Sequence, residues 1–247
     1  MVITMNTAFY TASSGVIYMQ RSMDVTANNI ANTETPGFKT SVSSFADLLY
    51  QNIHRGANEQ TDNLKVGHGA RLAATTMLMT QGSMQPTGRE LDFALVGEGF
   101  FAVENDAGER FYTRSGNFYT KLDSDVAYLV TSAGDYVLSP DGERIELNAE
   151  GTTQLNFDNM QSRVGVFQFT NKYAMEQMGN NLYRAPAAAG EAQPGGAYTL
   201  LQGTLEGSNS DLSKEMVDVL VTQRAFQFNA KVVQAADELE ATVNNLR

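Results

Sequence analysis

An α+β chain is expected: long helices at the extreme N- and C-termini forming a coiled-coil-like helical layer, with an all-β domain, sandwich or irregular barrel, inserted between them. Three observations predict it. Near both termini apolar residues recur at alternating steps of four and three, the spacing of a helix that packs lengthwise against another. Between the ends that period gives way to short alternating runs bounded by Gly, Pro, Asn and Asp, as strands and turns require. Charge is divided the same way. Residues 1–40 are neutral on balance, residues 211–247 carry four cations against six anions, and the middle carries nine of the eleven net negative charges.

The first helix rests on Met5, Phe9, Ala12, Val16, Met19, Met23, Thr26 and Ile30, one seam with a single polar member at Thr26. Its flanks are Ser, Thr, Asn and Gln rather than the Glu and Lys of a solvated zipper. Pro36-Gly37 closes the segment, because proline disfavours the helical region at Thr35 and glycine leaves it easily. Residues 39–80 mix Ser, Asn, Gln and Gly with isolated apolar side chains and read as an extended connector.

Residues 81–205 read as the all-β domain, with about eight to ten short strands. Leu91-Asp92-Phe93-Ala94-Leu95-Val96, Phe100-Phe101-Ala102-Val103 and Arg110-Phe111-Tyr112-Thr113 are strands, the last two joined by the turn Asn105-Asp106-Ala107-Gly108. Turns at Ala133-Gly134-Asp135 and Ser139-Pro140-Asp141-Gly142 separate Tyr128-Leu129-Val130, Tyr136-Val137-Leu138 and Ile145-Glu146-Leu147. Further strands are expected at Gln154-Leu155-Asn156-Phe157 and within residues 163–169 and 198–205.

The second helix belongs to residues 206–247. Asp211 is a good N-cap, with Glu215 favourably placed in the first turns. Leu212, Met216, Val219, Gln223, Phe226, Ala230 and Val233 follow the four-three spacing. A second stripe, Val232, Ala236, Leu239, Val243 and Leu246, takes over after a slip in register, and neither Gly nor Pro interrupts the segment. Isolated helices of this kind gain most of their stability from tertiary contacts, so they are expected to pair with each other, with other copies, or with both.

Composition excludes more than it assigns. The 247 residues contain no Cys and two His, so disulfides, thiol chemistry and histidine-rich metal sites are not available. Seventeen cations against twenty-eight anions argue against nucleic-acid binding. The first residues lack the basic head and unbroken apolar stretch of a cleavable signal, and no apolar run is long enough for a membrane span. Gly97-Glu98-Gly99 and Gly67-His68-Gly69 lack the rest of a phosphate loop. The Asp123-Ser124-Asp125 run has Tyr128 and Gly134 where a calcium loop needs glycine and glutamate. The acid pairs Glu104/Asp106 and Glu143/Glu146 are expected on a solvated face, and His54 and His68 in the connector. A carbohydrate-binding or hydrolytic β-domain, the alternative from a different class, would show converging acids beside an aromatic platform. No catalytic residue, cofactor or metal site is expected.

Three stretches carry a family resemblance. Met23-Asp24-Val25-Thr26-Ala27-Asn28-Asn29-Ile30-Ala31-Asn32 followed by Thr35-Pro36-Gly37-Phe38-Lys39 resembles the amino-terminal signature of the bacterial flagellar basal-body rod and hook protein family. Leu205-Glu206-Gly207-Ser208-Asn209-Ser210-Asp211-Leu212, Glu215-Met216-Val217, Gln223-Arg224-Ala225-Phe226 and Asn229-Ala230-Lys231 resemble its carboxyl-terminal signature, with Ser210 where valine is common and Phe226 where tyrosine is common. Residues 92–101 and Tyr112-Thr113-Arg114-Ser115-Gly116-Asn117-Phe118 are similar to the opening of its β-domain. Phe45 and Asp47-Leu48-Leu49-Tyr50-Gln51 resemble the distal-rod branch most, a proximal-rod or hook member being the alternative.

The resemblance implies a structural axial component of the flagellar rod that polymerises into a helical tube and transmits torque from motor to hook. Its terminal helices, residues 1–38 and 206–247, would form the inner assembly domain. Implied partners are further copies, neighbouring rod and hook proteins, the bushing rings around the rod and the flagellar type III export machinery, with no nucleic acid and no membrane insertion. The implied location is the periplasmic rod of the basal body, reached without a cleaved signal peptide. Candidate assembly residues are the two seams apart from Thr26, with Leu239, Val243 and Leu246, and Asn28, Asn29, Asn32, Pro36, Gly37 and Phe38. The three asparagines, able to donate and accept at once, are expected to satisfy backbone or neighbouring-subunit groups near the Pro36-Gly37 turn.

Overall fold

The computed structural model describes residues 2–52, 65–123, 126–148, 157 and 159–246, with side chains left aside at 2–6 and 51–52. His54, Ser124, Asp125, Gln154, Leu155, Asn156 and the side chain of Met5 lie outside what is described. The chain forms two units that interleave along the sequence. One comprises residues 1–31, 41–77 and 211–247, the other residues 32–40 and 78–210.

The first unit holds both long helices. Helix α1, Val2–Ala31, and helix α2, Leu212–Asn245, pack along each other. The expected N-cap forms: the Asp211 carboxylate accepts from the amides of Ser213 at 2.9 Å and Lys214 at 3.4 Å, meeting donors that a helix start leaves free. Two antiparallel strand pairs complete this unit, the first of them beside α1. Strand β1, Ser41–Asp47, pairs antiparallel with β4, Ala70–Met77, and β2, Tyr50–Asn52, pairs with β3, Lys65–Gly67. The described parts of residues 39–80 therefore form paired strands. The Ser, Ala and Thr strands bury little on their own account, which is why no apolar alternation announces them. They gain cover from α1, where the Tyr18 and Phe45 rings meet and the Ser22 and Ser43 hydroxyls are 3.2 Å apart.

The second unit is β-rich and antiparallel throughout. Strand β5, Met84–Pro86, and β6, Phe93–Gly97, lead into the main sheet. That sheet contains β7 (Phe100–Glu104), β8 (Arg110–Thr113), β9 (Tyr119–Asp123), β10 (Val126–Val130), β11 (Tyr136–Val137) and β12 (Val166–Gln168). It also takes β13 (Glu176–Gly179), β14 (Leu182–Arg184) and β15 (Gln193–Pro194). The order is β13-β14-β8-β7-β11-β10-β9, with β12 on the free half of β7 and β15 on β12. Strand β16, Tyr198–Gln202, pairs with β6, and β17, Thr204–Glu206, with β5. More strands form than expected, because β5, β9, β13, β14 and β15 arise in stretches without an apolar alternation and Gly203, at φ +73, divides residues 198–205 into β16 and β17.

The core of this unit is built from Phe93, Leu95, Phe101, Val103, Phe118, Leu129, Val137, Leu147, Met160 and Val166. Most are inward members of the alternating runs; Phe118 lies just before β9, Leu147 in a bend, and Met160 in a one-turn helix, Met160–Arg163. Removal of each from water contributes about 1.5–3 kcal/mol. Phe101 and Phe118 meet edge to face with centroids 5.3 Å apart, an arrangement favoured by the ring quadrupoles.

Candidate assembly surface and the buried polar groups beside it

In the first unit the two helices spend one face on each other and leave another uncovered. On α1, Ala12, Tyr18, Thr26 and Asn29 are buried, and Phe9, Val16, Met19, Met23 and Ile30 are half-buried. On α2 the covered side carries Glu215 and Thr222, with Val219, Phe226, Ala230 and Val233 half-buried. The other expected seam members, Leu212, Met216 and Gln223, are exposed. The covered face of α2 therefore includes polar residues that hide its period in the sequence.

A second, exposed apolar stripe runs the length of α2: Val217, Val221, Phe228, Val232, Leu239, Val243 and Leu246. Its members recur at steps of four, seven and three, so they share one side of the helix. Val221 is 62% exposed and Phe228 67%, values that a single copy of the chain leaves standing. Asparagine is also placed along this helix pair. Asn229 faces Gly15, where an added Cβ would sit 3.0 Å from the carboxamide, so a larger residue there would require the Asn229 side chain to give way.

Of the three asparagines singled out by sequence, Asn29 makes the strongest set of contacts. It is 3% exposed; its Oδ1 accepts from the Ser41 amide at 3.0 Å and its Nδ2 donates to the Ser41 carbonyl at 2.9 Å. The same Nδ2 lies 3.2 Å from Glu215 Oε2, so one side chain ties the end of α1 to β1 and to the first turn of α2. Asn28 is exposed, and Asn32 Oδ1 accepts from the Thr35 hydroxyl at 3.2 Å.

Pro36, Gly37 and Phe38 belong to the second unit, where they join its interior. Gly37 has φ +69, and a Cβ there would fall 2.6 Å from the Arg114 backbone, so the turn requires glycine twice over. Its amide donates to the Glu206 carbonyl at 2.7 Å, and the Pro36 carbonyl accepts from Asn181 Nδ2 at 2.9 Å. Phe38 is buried.

Beside this turn lies a buried ionic triad that sequence reading misses. Glu206, 1% exposed, takes Lys39 Nζ on Oε1 and Arg114 Nε on Oε2, both at 2.6 Å. The remaining groups are also answered. Gly82 N donates to Glu206 Oε1 at 3.0 Å, Lys39 Nζ donates to the Thr80 carbonyl at 2.8 Å, and the Arg114 guanidinium donates to the carbonyls of Leu95, Gly97 and Gly99. Burial holds the Lys39 ammonium below the usual lysine range, the Glu206 charge opposes that, and the Arg114 charge adds to it. The three charges lie far apart in sequence with no spacing to link them, so only the fold brings them together.

The acid pairs have a place too. Glu104, Glu143 and Glu146 line an open cleft of about 800 Å³ in the second unit with Tyr128, Arg144 and Arg163. Glu104, the least exposed, is bound by Arg144 Nη2 at 2.6 Å and Nε at 3.0 Å. The neighbouring aromatic face is occupied as well, since Tyr136 carries Arg144 at 4.2 Å and Lys121 at 4.7 Å from its centroid. Glu104 is thus held in an ion pair, and the Tyr136 ring is stacked by two cations. His68 is half-buried between β3 and β4, and Gly97-Glu98-Gly99 is the turn between β6 and β7.

The first unit thus pairs two terminal helices of low net charge and leaves an apolar stripe of α2 uncovered, while the second is β-rich and acidic. Family models match in three places: the flagella basal body rod protein model over residues 9–39, the flagellar hook protein FlgE/F/G D1 domain over 94–172, and the C-terminal model of flagellar basal body rod FlgEFG proteins over 201–246. The chain is 35% identical to the flagellar basal-body rod protein FlgG of Borreliella burgdorferi, over 97% of this chain and 98% of the relative. It is 35% identical to FlgG of Bacillus subtilis with the same coverage, and 29% identical to the flagellar hook-basal body complex protein FlhP of that organism over 96% of this chain and 98% of the relative. The chain belongs to the FlgG family of flagellar basal-body rod proteins.

Proposed function

We propose that this chain is a non-enzymatic subunit of the distal flagellar rod that polymerises with itself into a helical tube and carries torque from motor to hook. The observation that supports this reading most is the exposed apolar stripe of α2. Each of its large side chains gains about 1–2 kcal/mol when covered, and a continuous row of them favours a lengthwise partner. The faces of the two terminal segments carry little net charge, so copies can approach without leaving unpaired charge buried. The acidic second unit is the part suited to face water, neighbouring rod and hook proteins and the bushing rings. Among the described residues no helix is long and apolar enough to cross a membrane. The reading places the assembled chain in the cell envelope outside the cytoplasmic membrane, delivered by the flagellar type III machinery without a cleaved signal.

The test is a double substitution on the stripe, Val221→Glu with Phe228→Glu. Both side chains are exposed, so the purified full chain should keep its helical and β signals by circular dichroism. Polymerisation, followed by sedimentation and electron microscopy, should be lost, and cells carrying the variant should lack the distal rod. Rods of normal length and number in that strain would overturn the reading.

A further inference from the structure

The backbone passes between the two units after Ala31, Thr40, Met77 and Ser210. Three of these crossings are tied by one side chain on the second unit. Asn209 Oδ1 accepts from the Thr40 amide at 2.8 Å and from the Thr40 hydroxyl at 3.0 Å. Asn209 Nδ2 donates to the Leu78 carbonyl at 2.7 Å, and to the carbonyl and hydroxyl of Thr80 at 3.1 and 3.0 Å. The backbone closes the same ring, because Leu78 N donates to the Thr40 carbonyl at 2.8 Å and Asn209 N to the Phe38 carbonyl at 3.3 Å. Lys39 Nζ joins Thr80 to Glu206, so the knot is fastened to the buried ionic triad.

We propose that Asn209 is a positioning residue that holds these three crossings in register, so that force arriving through the helices enters the β-rich unit at one rigid knot instead of three independent strands. The chemistry suits only a carboxamide. Two neighbouring strands present a donor on one side and carbonyls on the other, and a single planar group with an acceptor and a two-proton donor answers both. Aspartate keeps the acceptor but sets a charge against the carbonyls of Leu78 and Thr80. Alanine keeps neither. The mechanical part of the proposal rests on the rod reading above; the structural part does not.

Amide hydrogen exchange on the purified full chain tests the structural part. In Asn209→Ala the Thr40 amide loses its acceptor and should exchange at least about tenfold faster, followed by Leu78. The Leu129 amide, bonded to the Ile145 carbonyl inside the core, should keep its rate. In Asn209→Asp, Thr40 should stay protected while Leu78 accelerates. Unchanged exchange at Thr40 in the alanine variant overturns the proposal. So does equal acceleration of Leu129, which would make Asn209 a general stabiliser of the unit.

Swimming under load tests the mechanical part. Cells carrying Asn209→Ala should swim normally in dilute medium and stop at a lower viscosity than wild type. Wild-type behaviour under load overturns the mechanical role. Normal motility in cells lacking this chain altogether would instead overturn the rod reading and leave the exchange result standing.

Discussion

Glu206 shows what one residue can decide in this molecule. Two cations converge on its carboxylate, and neither has another anion among its named partners. Replacing a buried ion pair by well-fitted apolar groups is often neutral, whereas deleting one member leaves charge buried without compensation. Glu206→Ala should therefore cost about 3–5 kcal/mol, read as a lower midpoint in urea unfolding of the β signal. A loss under about 1 kcal/mol would mean that the two cations find other anions or reach water. Tyr183 makes a second, pH-dependent case. Burial pushes its phenol far above the usual tyrosine range, with the Glu206 charge adding and the Arg114 charge opposing. Above about pH 10 the unfolded chain gives up this proton and the folded one keeps it, so stability falls as pH rises, by up to about 1.4 kcal/mol per unit. Lys39 runs the other way. Its lowered pKa makes the unfolded chain the better proton binder up to the usual lysine value, so its contribution rises with pH in that window. Tyr183→Phe separates the two: the variant should lose less stability than wild type between pH 10 and 11. Parallel curves for the two proteins would remove Tyr183 from the account.

At the level of elements, legibility depends on whether a segment's own residues determine its cover. Helix α1 and the Asp211 cap of α2 are legible because period and capping chemistry are local. The strands through Phe93, Phe101 and Leu129 are legible because they bury alternate apolar side chains. Pairing of β1 with β4 is not, since its Ser, Ala and Thr residues gain their cover from α1 and from Tyr18 against Phe45. The register of α2 is half-legible. Val219, Phe226, Ala230 and Val233 do turn towards cover, yet the same face takes Glu215, Thr222 and Asn229, while Leu212, Met216 and Val221 look outward. A helix with apolar residues on two sides has no single moment to read. The second side is uncovered in the single chain, and the proposed assembly would give it a partner. The Lys39–Glu206–Arg114 triad and the Asn209 knot were illegible for a plainer reason: their members meet across 92 to 169 residues of chain, and a lone charge or amide in a turn carries no period.

For the whole molecule, the interleaving of two units means that a fault in one need not unfold the other. Asn29 is the place to test this. The partners described for it, Ser41 and Glu215, belong with it to the helix-bearing unit. Leucine at this position fills a similar volume but leaves the Ser41 amide and carbonyl without that side chain and removes a donor from the buried Glu215 carboxylate. Each lost partner costs about 1–3 kcal/mol, enough to loosen a unit whose helices rely on tertiary contacts. Asn29→Leu should therefore lower the thermal midpoint of the helical signal and speed amide exchange along β1 and the start of α2, with amides of the Phe101 and Leu129 strands unaffected. In cells the variant should be made but not built into rods, because the proposed assembly runs through the helices. Normal motility would show that Asn29 is dispensable for assembly. Loss of protection throughout the β-rich unit would show that the two units fold as one, and the proposed separation of roles between the weakly charged ends and the acidic centre would then have to be given up.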